Sequence, residues 1–330
     1  MIEIEMSEAL NGVKMLVNQI QIGMNLKENV FLLKKIGSYK SKTNKDYLSL
    51  TLMDKTGELD GKVWEPADPL IHEVQEGNYV VVTGRVIDYN GHPQVNIKEL
   101  RKAEEGTFDE SDFIPMTRFD PEKMYMKLLK LIETIKTPYM KELLESFFVK
   151  DETFIKNFKK HSAAKSVHHG FSGGLLEHTL SVAELCSDLA AHYDYLDRDL
   201  LVTAALCHDI GKVEELSDFP QNIYTDEGQL LGHIVIGSWM VRDHIANIPD
   251  FPEAKKNELL HCILSHHGKL EYGSPKVPML VEAEALQFAD NIDAKMETFR
   301  EAIESGTPDI TGWMGYNRFL EANFRKTTDD

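Results

Sequence analysis

In LLVTAALCHDIGK an apolar run with helical spacing ends on the adjacent pair His208-Asp209. An imidazole beside a carboxylate costs free energy on burial unless each finds a partner. A divalent cation that takes both as ligands removes that cost. His178 interrupts the apolar face of GLLEHTLSVAEL, and Asp290 that of LQFADNID. Either residue alone reads equally as a hydrogen-bonded core or cap group. In company they are inward-facing polar groups on separate helical stretches, as metal sites in helical-bundle cores are built. His233 opens a helix in LLGHIVIG, and His266-His267 close one in ILSHHG. The last pair also suits a helix C-terminus, where a cation complements the dipole. Imidazole and carboxylate donors suit Mn, Fe, Co, Ni or Zn, and we favour Mn for this set. Lys212, one turn past Asp209, reads as a group for phosphoryl oxygens or a leaving alkoxide, or as a surface lysine after a helix end. Asp293, a turn past Asp290, reads as a partner of a ligand or as a solvated carboxylate.

The elements that must carry these residues are helical. MYMKLLKLIETI, KELLESFFV, GLLEHTLSVAELCSDLAAHY, DLLVTAALCHDIG, GHIVIGSWMVRDHIANI, NELLHCILSHHG and VEAEALQFADNIDAKMETF place apolar residues three and four apart. The helical pattern runs almost to the end, with KTTDD as a frayed tail. Before it the chain reads differently. ENVFLLKKIGSY, DYLSLTLMD, GELDGKVWE, YVVVTGRVIDY and HPQVNIKEL are rich in β-branched and aromatic residues. Lys55-Thr56-Gly57 and Asn90-Gly91 supply turns between them. Five strands in this span predict a small closed barrel of the OB type, with an SH3-like barrel as the alternative. The expected architecture is an N-terminal five-stranded OB-like β-barrel over residues 1–103. Linker and packing helices follow over 104–160, then an all-α bundle over 161–330.

The net charge of −18 excludes a general nucleic-acid coat, which would be basic. Residues 1–103 carry 13 Lys or Arg against 14 Asp or Glu, so the surplus acid lies beyond them. Lys34, Lys35, Lys40, Lys42 and Lys45 form an acid-free stretch, so contact with a polyanion there would be local. Tyr39, Tyr47, Trp64 and Tyr89 are available to stack on bases, with Lys62 as further charge; packing in the barrel core or scatter on its surface is the other reading. Cys186, Cys207 and Cys262 lie in apolar helical patterns and read as reduced core thiols. No apolar run reaches the ~20 residues of a membrane span, and the N-terminus lacks a secretory pattern. A cytoplasmic protein is expected. A homo-oligomer is compatible with the sequence, which does not set the oligomeric state.

The order H…HD…D, with the HDxGK extension, resembles the HD superfamily of metal-dependent phosphohydrolases over about residues 165 to 300. That resemblance implies one ion on His178, His208, Asp209 and Asp290. It implies a second on His233, His266 and His267, with Asp209 shared between the two. Some HD phosphodiesterases carry a Glu four residues before the first His; here Gly174 stands there, which argues against a third ion. Read with their flanks, AAKSVHHGFSGGLLEHT, LCHDIGKVEELS, ILSHHGKLEYGSPKVPMLVEAEAL and DNIDAK resemble the YhaM family of 3′-to-5′ exoribonucleases. The order of an OB-like domain before an HD domain does so too. This resemblance implies shortening of single-stranded RNA from the 3′ end to nucleoside 5′-monophosphates with Mn-type ions, and action on single-stranded DNA as well. On that reading Asp209 and Lys212 are the catalytic pair. His168, His169, Lys276 and Asp293 are candidates for contact with substrate, as are Tyr39, Lys40, Lys42 and Trp64 in the first domain. Structural turns are the other reading of His168-His169 and of the Gly273–Lys276 segment.

Two rival functions fit parts of the pattern. An HD site can hydrolyse small nucleotides, although such an enzyme has no evident need of a single-strand module. A binding protein with a degenerate HD site is the other, and the intact donor set argues against it.

Overall fold

A computed structural model describes residues 15–64, 73–165, 169–219, 221–306 and 308–328. The chain divides into two compact units, one up to Met116 and one formed by Thr117–Asp218 with Asn222 onward.

The first unit is a closed barrel of β1 (Asn25–Lys40), β2 (Asp46–Asp54), β3 (Gly57–Trp64), β4 (Tyr79–Tyr89) and β5 (His92–Lys102). Its strand order is β1-β2-β3-β5-β4, with β1 pairing β4 to close it and β3 running parallel to β5. That order makes it an OB-like barrel rather than an SH3-like one. The strand β1 serves two neighbours, and register shifts at Leu26/Asn29 and Leu33/Lys35 let it bend from one to the other. The alternating inward residues, among them Phe31, Leu33, Leu50, Leu52, Val80, Val82 and Val95, fill the interior. The turns at Lys55-Thr56 and Asn90-Gly91 join the strand pairs expected of them.

The second unit is mainly helical. In chain order come α1 (Pro121–Glu133), α2 (Pro138–Phe148), α3 (Glu152–Lys160), α4 (Gly174–His192), α5 (Arg198–Cys207), the single turn α6 (Lys212–Glu215), α7 (Asp226–Ile245), α8 (Glu253–Ser265) and α9 (Val281–Ser305). Every residue of α5 from Leu200 to Cys207 is buried, so this short helix is the axis of the bundle. The three cysteines are free and buried. Burial pushes the Cys207 and Cys262 thiols up to about 12, which keeps them protonated core groups.

The helix α3, the single turn α6 and a C-terminal hairpin escaped the sequence reading. The helix α3 (ETFIKNFKK) is short, with four charged residues among its nine, and only Phe154 and Phe158 are buried. The expected helical run to the C-terminus is corrected by a hairpin of β6 (Trp313–Asn317) and β7 (Ala322–Arg325). Its residues are largely exposed, so no alternation of polar and apolar residues announces it. No helix among the described residues is long and apolar enough to cross a membrane.

Candidate metal centre

The end of α5 delivers His208 and Asp209 into the bundle, at 0% and 1% exposure. A helix that ends in the core leaves its last carbonyls without partners. His208 meets that need by donating from Nδ1 to Ala205 O (2.7 Å). At the end of α8, His266 Nδ1 donates in the same way to Ile263 O (2.6 Å), and His267 Nδ1 to Tyr272 O (2.9 Å). On α4, His178 Nδ1 donates to Asp293 Oδ2 (2.7 Å). On α7, His233 Nδ1 donates to Glu215 Oε1 (2.9 Å). Carbonyl and carboxylate oxygens only accept, so all five rings carry their proton at Nδ1 in the neutral form and offer a lone pair at Nε2.

Four of those Nε2 atoms, from His178, His208, His233 and His266, converge on Asp209. Its Oδ2 lies 3.3 Å from His178 Nε2 and 3.3 Å from His208 Nε2. Asp290 Oδ1 is 3.2 Å from His178 Nε2, and the two Nε2 atoms of His178 and His208 are 3.2 Å apart. The other oxygen, Oδ1, faces His233 Nε2 at 3.4 Å and His266 Nε2 at 3.7 Å. The donor atoms of His233, His266 and His267 lie within 4.8 Å of one another.

This donor set fits divalent cations. Asp209 Oδ1, His233 Nε2 and His266 Nε2 are buried and have no hydrogen-bond partner among the described residues. Orphaned acceptors of this kind are costly in a core, and facing lone pairs repel unless a positive charge sits between them. Spacings of 3.2–3.3 Å are those of donors about 2.1 Å from a common ion. His178, His208, Asp209 and Asp290 could hold one ion; His233, His266, His267 and Asp209 could hold a second.

The electrostatics agree. Burial pushes the Asp209 carboxyl up, but the Lys212 ammonium, with His208 and His178, holds it well below the usual carboxylate range. Lys212 Nζ donates to Asp209 Oδ2 at 2.6 Å. Burial draws the Lys212 ammonium down, and the Asp209 charge more than restores it. Burial, reinforced by neighbouring imidazoles, pushes His266 and His267 below the ordinary histidine range and keeps their lone pairs free. Burial opposes charge on His178 too, yet Asp209, Asp290 and Asp293 raise it well above that range. The cluster thus demands a cation at this point, a proton or a metal ion.

Two glycines make the geometry attainable. At Gly211 of the HDIGK motif a Cβ would stand 2.1 Å from His233 O and 2.6 Å from Gly237 N, so only glycine lets this turn touch α7. Gly232 adopts φ +74° and breaks α7 just before His233. The freed His233 N–H then donates to Glu215 Oε1 (2.9 Å), the same oxygen that orients the ring. The sequence reading missed Glu215; its place three residues past Lys212 was the available signal. At Gly174 a Cβ would meet His169 O at 2.1 Å, so the position leaves no room for the glutamate carried by some HD enzymes.

The remaining candidates separate. Asp293 accepts from His178 Nδ1, from His169 Nε2 (3.0 Å) and from Ser181 Oγ, so its carboxylate is engaged by three side chains of the site. His169 is buried and lines a cavity of about 540 Å³ with His178, Lys212, His266, His267 and Asp290. Lys276 is exposed and is not among the residues that line this cavity. His168 lies outside the described residues. On the barrel, Tyr39 pairs across strands with Tyr47, and Tyr47 with Trp64. Their ring centroids are 5.8 and 4.9 Å apart, and Lys62 Nζ sits 5.4 Å from the Tyr47 ring. Tyr39 and Trp64 are half exposed, and Lys40 and Lys42 lie at or just beyond the end of β1. These aromatics form a surface row and do not pack the core.

Residues 175–295 match the family model described as the HD domain. The chain carries an HD domain. The HD domain is of the metal-dependent phosphohydrolase kind, and every candidate ligand named above falls within the matched segment. Residues 33–103 match the model described as an OB-fold nucleic acid binding domain, which takes in the Tyr39–Tyr47–Trp64 row. Among solved structures, the second OB-fold domain of replication protein A from Methanococcus maripaludis is 16% identical. That alignment covers 29% of this chain and 100% of that one, with a TM-score of 0.24.

Proposed function

We propose that this protein is a 3′-to-5′ exoribonuclease that hydrolyses single-stranded RNA, and also single-stranded DNA, to nucleoside 5′-monophosphates. The observation that carries the reading is the double use of Asp209, one oxygen toward His178 and His208 and the other toward His233 and His266. On this reading His178, His208, Asp209 and Asp290 hold one divalent ion, and His233, His266 and His267 hold a second with Asp209. Bound there, Mn-type ions supply Lewis-acid charge to the phosphoryl oxygens and an activated water.

The chain's own groups do the rest. Asp293, Glu215 and the carbonyls of Ala205, Ile263 and Tyr272 keep each ring proton at Nδ1, so the donors are set before substrate arrives. Lys212 holds Asp209 ionised. Because Lys212 also lines the cavity, its remaining N–H bonds can meet a phosphoryl oxygen or a leaving 3′-alkoxide. The row Tyr39–Tyr47–Trp64, with Lys40, Lys42 and Lys62, supplies stacking faces and charge for a single strand.

The test is to incubate the full chain with 5′-labelled single-stranded RNA and Mn and to size the products. A ladder shrinking from the 3′ end is expected, with none from Asp209→Ala or in EDTA. Internal cuts, or cleavage of small nucleotides alone, would displace the reading.

A further inference from the structure

The cavity beside the metal centre does not end with the HD segment. It runs along one stripe of α9, through Gln287, Asn291, Lys295 and Thr298, to Phe319 in the β6–β7 hairpin. Those helix positions recur at three- and four-residue spacing and span about 16 Å of helix. Phe319 lies 24 residues beyond the last residue that the HD family model matches, since 319 − 295 = 24.

The ring is held in place. Asn317 Oδ1 accepts from the backbone N–H groups of Phe319 (2.8 Å) and Leu320 (3.1 Å), which fixes the turn. The opposite end of the hairpin is closed by Asp309, whose Oδ1 accepts from Thr311 N (2.7 Å) and Trp313 N (3.0 Å). Phe324 meets Phe299 of α9 edge to face at 5.4 Å, so the hairpin is seated on the helix that lines the cavity. Phe319 nevertheless remains 46% exposed, with the Arg318 guanidinium 4.6 Å from its centroid. An apolar ring held on an ordered turn, at the edge of a polar cavity and next to cations, has the chemistry of a base-stacking platform. The volume, about 540 Å³, is in the range of sites for one small ligand.

We propose that the β6–β7 hairpin forms a nucleotide subsite: the base of the terminal nucleotide stacks on Phe319, while Lys295 and Arg318 supply charge to the neighbouring phosphate. This rests on the exonuclease reading and adds to it the element that grips the nucleotide about to be released. It also gives a role to a segment with no part in the metal centre.

The test is a cycle in the full chain with Mn. Wild type, Phe319→Ala and Phe319→Trp are compared on an RNA decamer with an ordinary 3′ end and on the same decamer ending in an abasic ribose. Stacking predicts that Phe319→Ala raises KM on the ordinary decamer about 10- to 100-fold, and that Phe319→Trp restores it. On the abasic end the three proteins should be alike. An equal loss on both ends, or none on either, overturns the proposal. Calorimetric titration with AMP reads the subsite without any cleavage: weaker binding to Phe319→Ala supports it, and unchanged binding overturns it. If wild type leaves both decamers intact, the exonuclease reading falls, and the AMP titration still decides whether Phe319 is a nucleotide contact.

Discussion

Asp293 Oδ2 accepts the Nδ1–H of His178 at 2.7 Å, although the two residues are 115 positions apart in the chain. Asp293 touches none of the other proposed ligands' donor atoms, yet it decides which nitrogen His178 offers. Asp293→Asn keeps the shape and removes the charge. We expect Mn affinity to fall about 10- to 100-fold, measured by calorimetric titration of the metal-free protein. Unchanged affinity would show that His178 is oriented by something else.

Gly211→Ala tests the close approach of the HDIGK turn to α7. Its Cβ would collide with backbone atoms of His233 and Gly237, which cannot rotate away. The expected cost is about 1–3 kcal/mol in urea unfolding, with loss of Mn from the His233 side, so that bound metal per chain falls by half. Full stability with two ions per chain would refute the packing argument.

Divalent ions should stabilise the fold, because the donors converge only in the folded chain. At Mn about 100 times its dissociation constant the gain is about 2.7 kcal/mol for one site, read as a rise in the urea midpoint that EDTA reverses. His208→Ala should show little of this rise.

His161 provides a pH test outside the proposed ligand set. It is buried, its Nε2 donates to Leu216 O (3.1 Å), and burial pushes its pKa below the ordinary value against a weaker opposing pull from Asp218. In the folded chain it is therefore neutral where the unfolded chain takes up a proton. The unfolded state binds more protons as pH falls below about 6.5, so stability declines there and is level above it. The urea midpoint of wild type should drop more between pH 8 and pH 5.5 than that of His161→Gln. Equal drops would remove His161 as a cause.

On the barrel, Trp64→Ala should weaken binding of a labelled single-stranded RNA in EDTA by about 1–3 kcal/mol, with the salt dependence unchanged. Lys40→Ala with Lys42→Ala should instead flatten the salt dependence. Anisotropy titrations at several salt concentrations separate the two.

Much of this architecture is written locally. Alternating Leu, Val and Phe in five segments, with Asn90-Gly91 and Lys55-Thr56 between them, announces the strands because strand periodicity is a property of neighbours. Polar residues intruding on apolar helical faces single out His178, His208-Asp209 and Asp290 for the same reason. The β6–β7 hairpin left no such trace, since two short exposed strands bury no face and carry no period.

By itself the sequence determined the residue types available for chemistry, the elements they ride on and the break between barrel and bundle. The tertiary structure decided which oxygen of Asp209 meets which imidazoles, and that each Nδ1 is tied to an oxygen, for His178 one 115 residues away in the chain. It also brought the Asp293 carboxylate to His178 Nδ1. Periodicity reports whether a residue faces inward. Which atom it meets there depends on packing between segments a hundred residues apart, and no local pattern carries that.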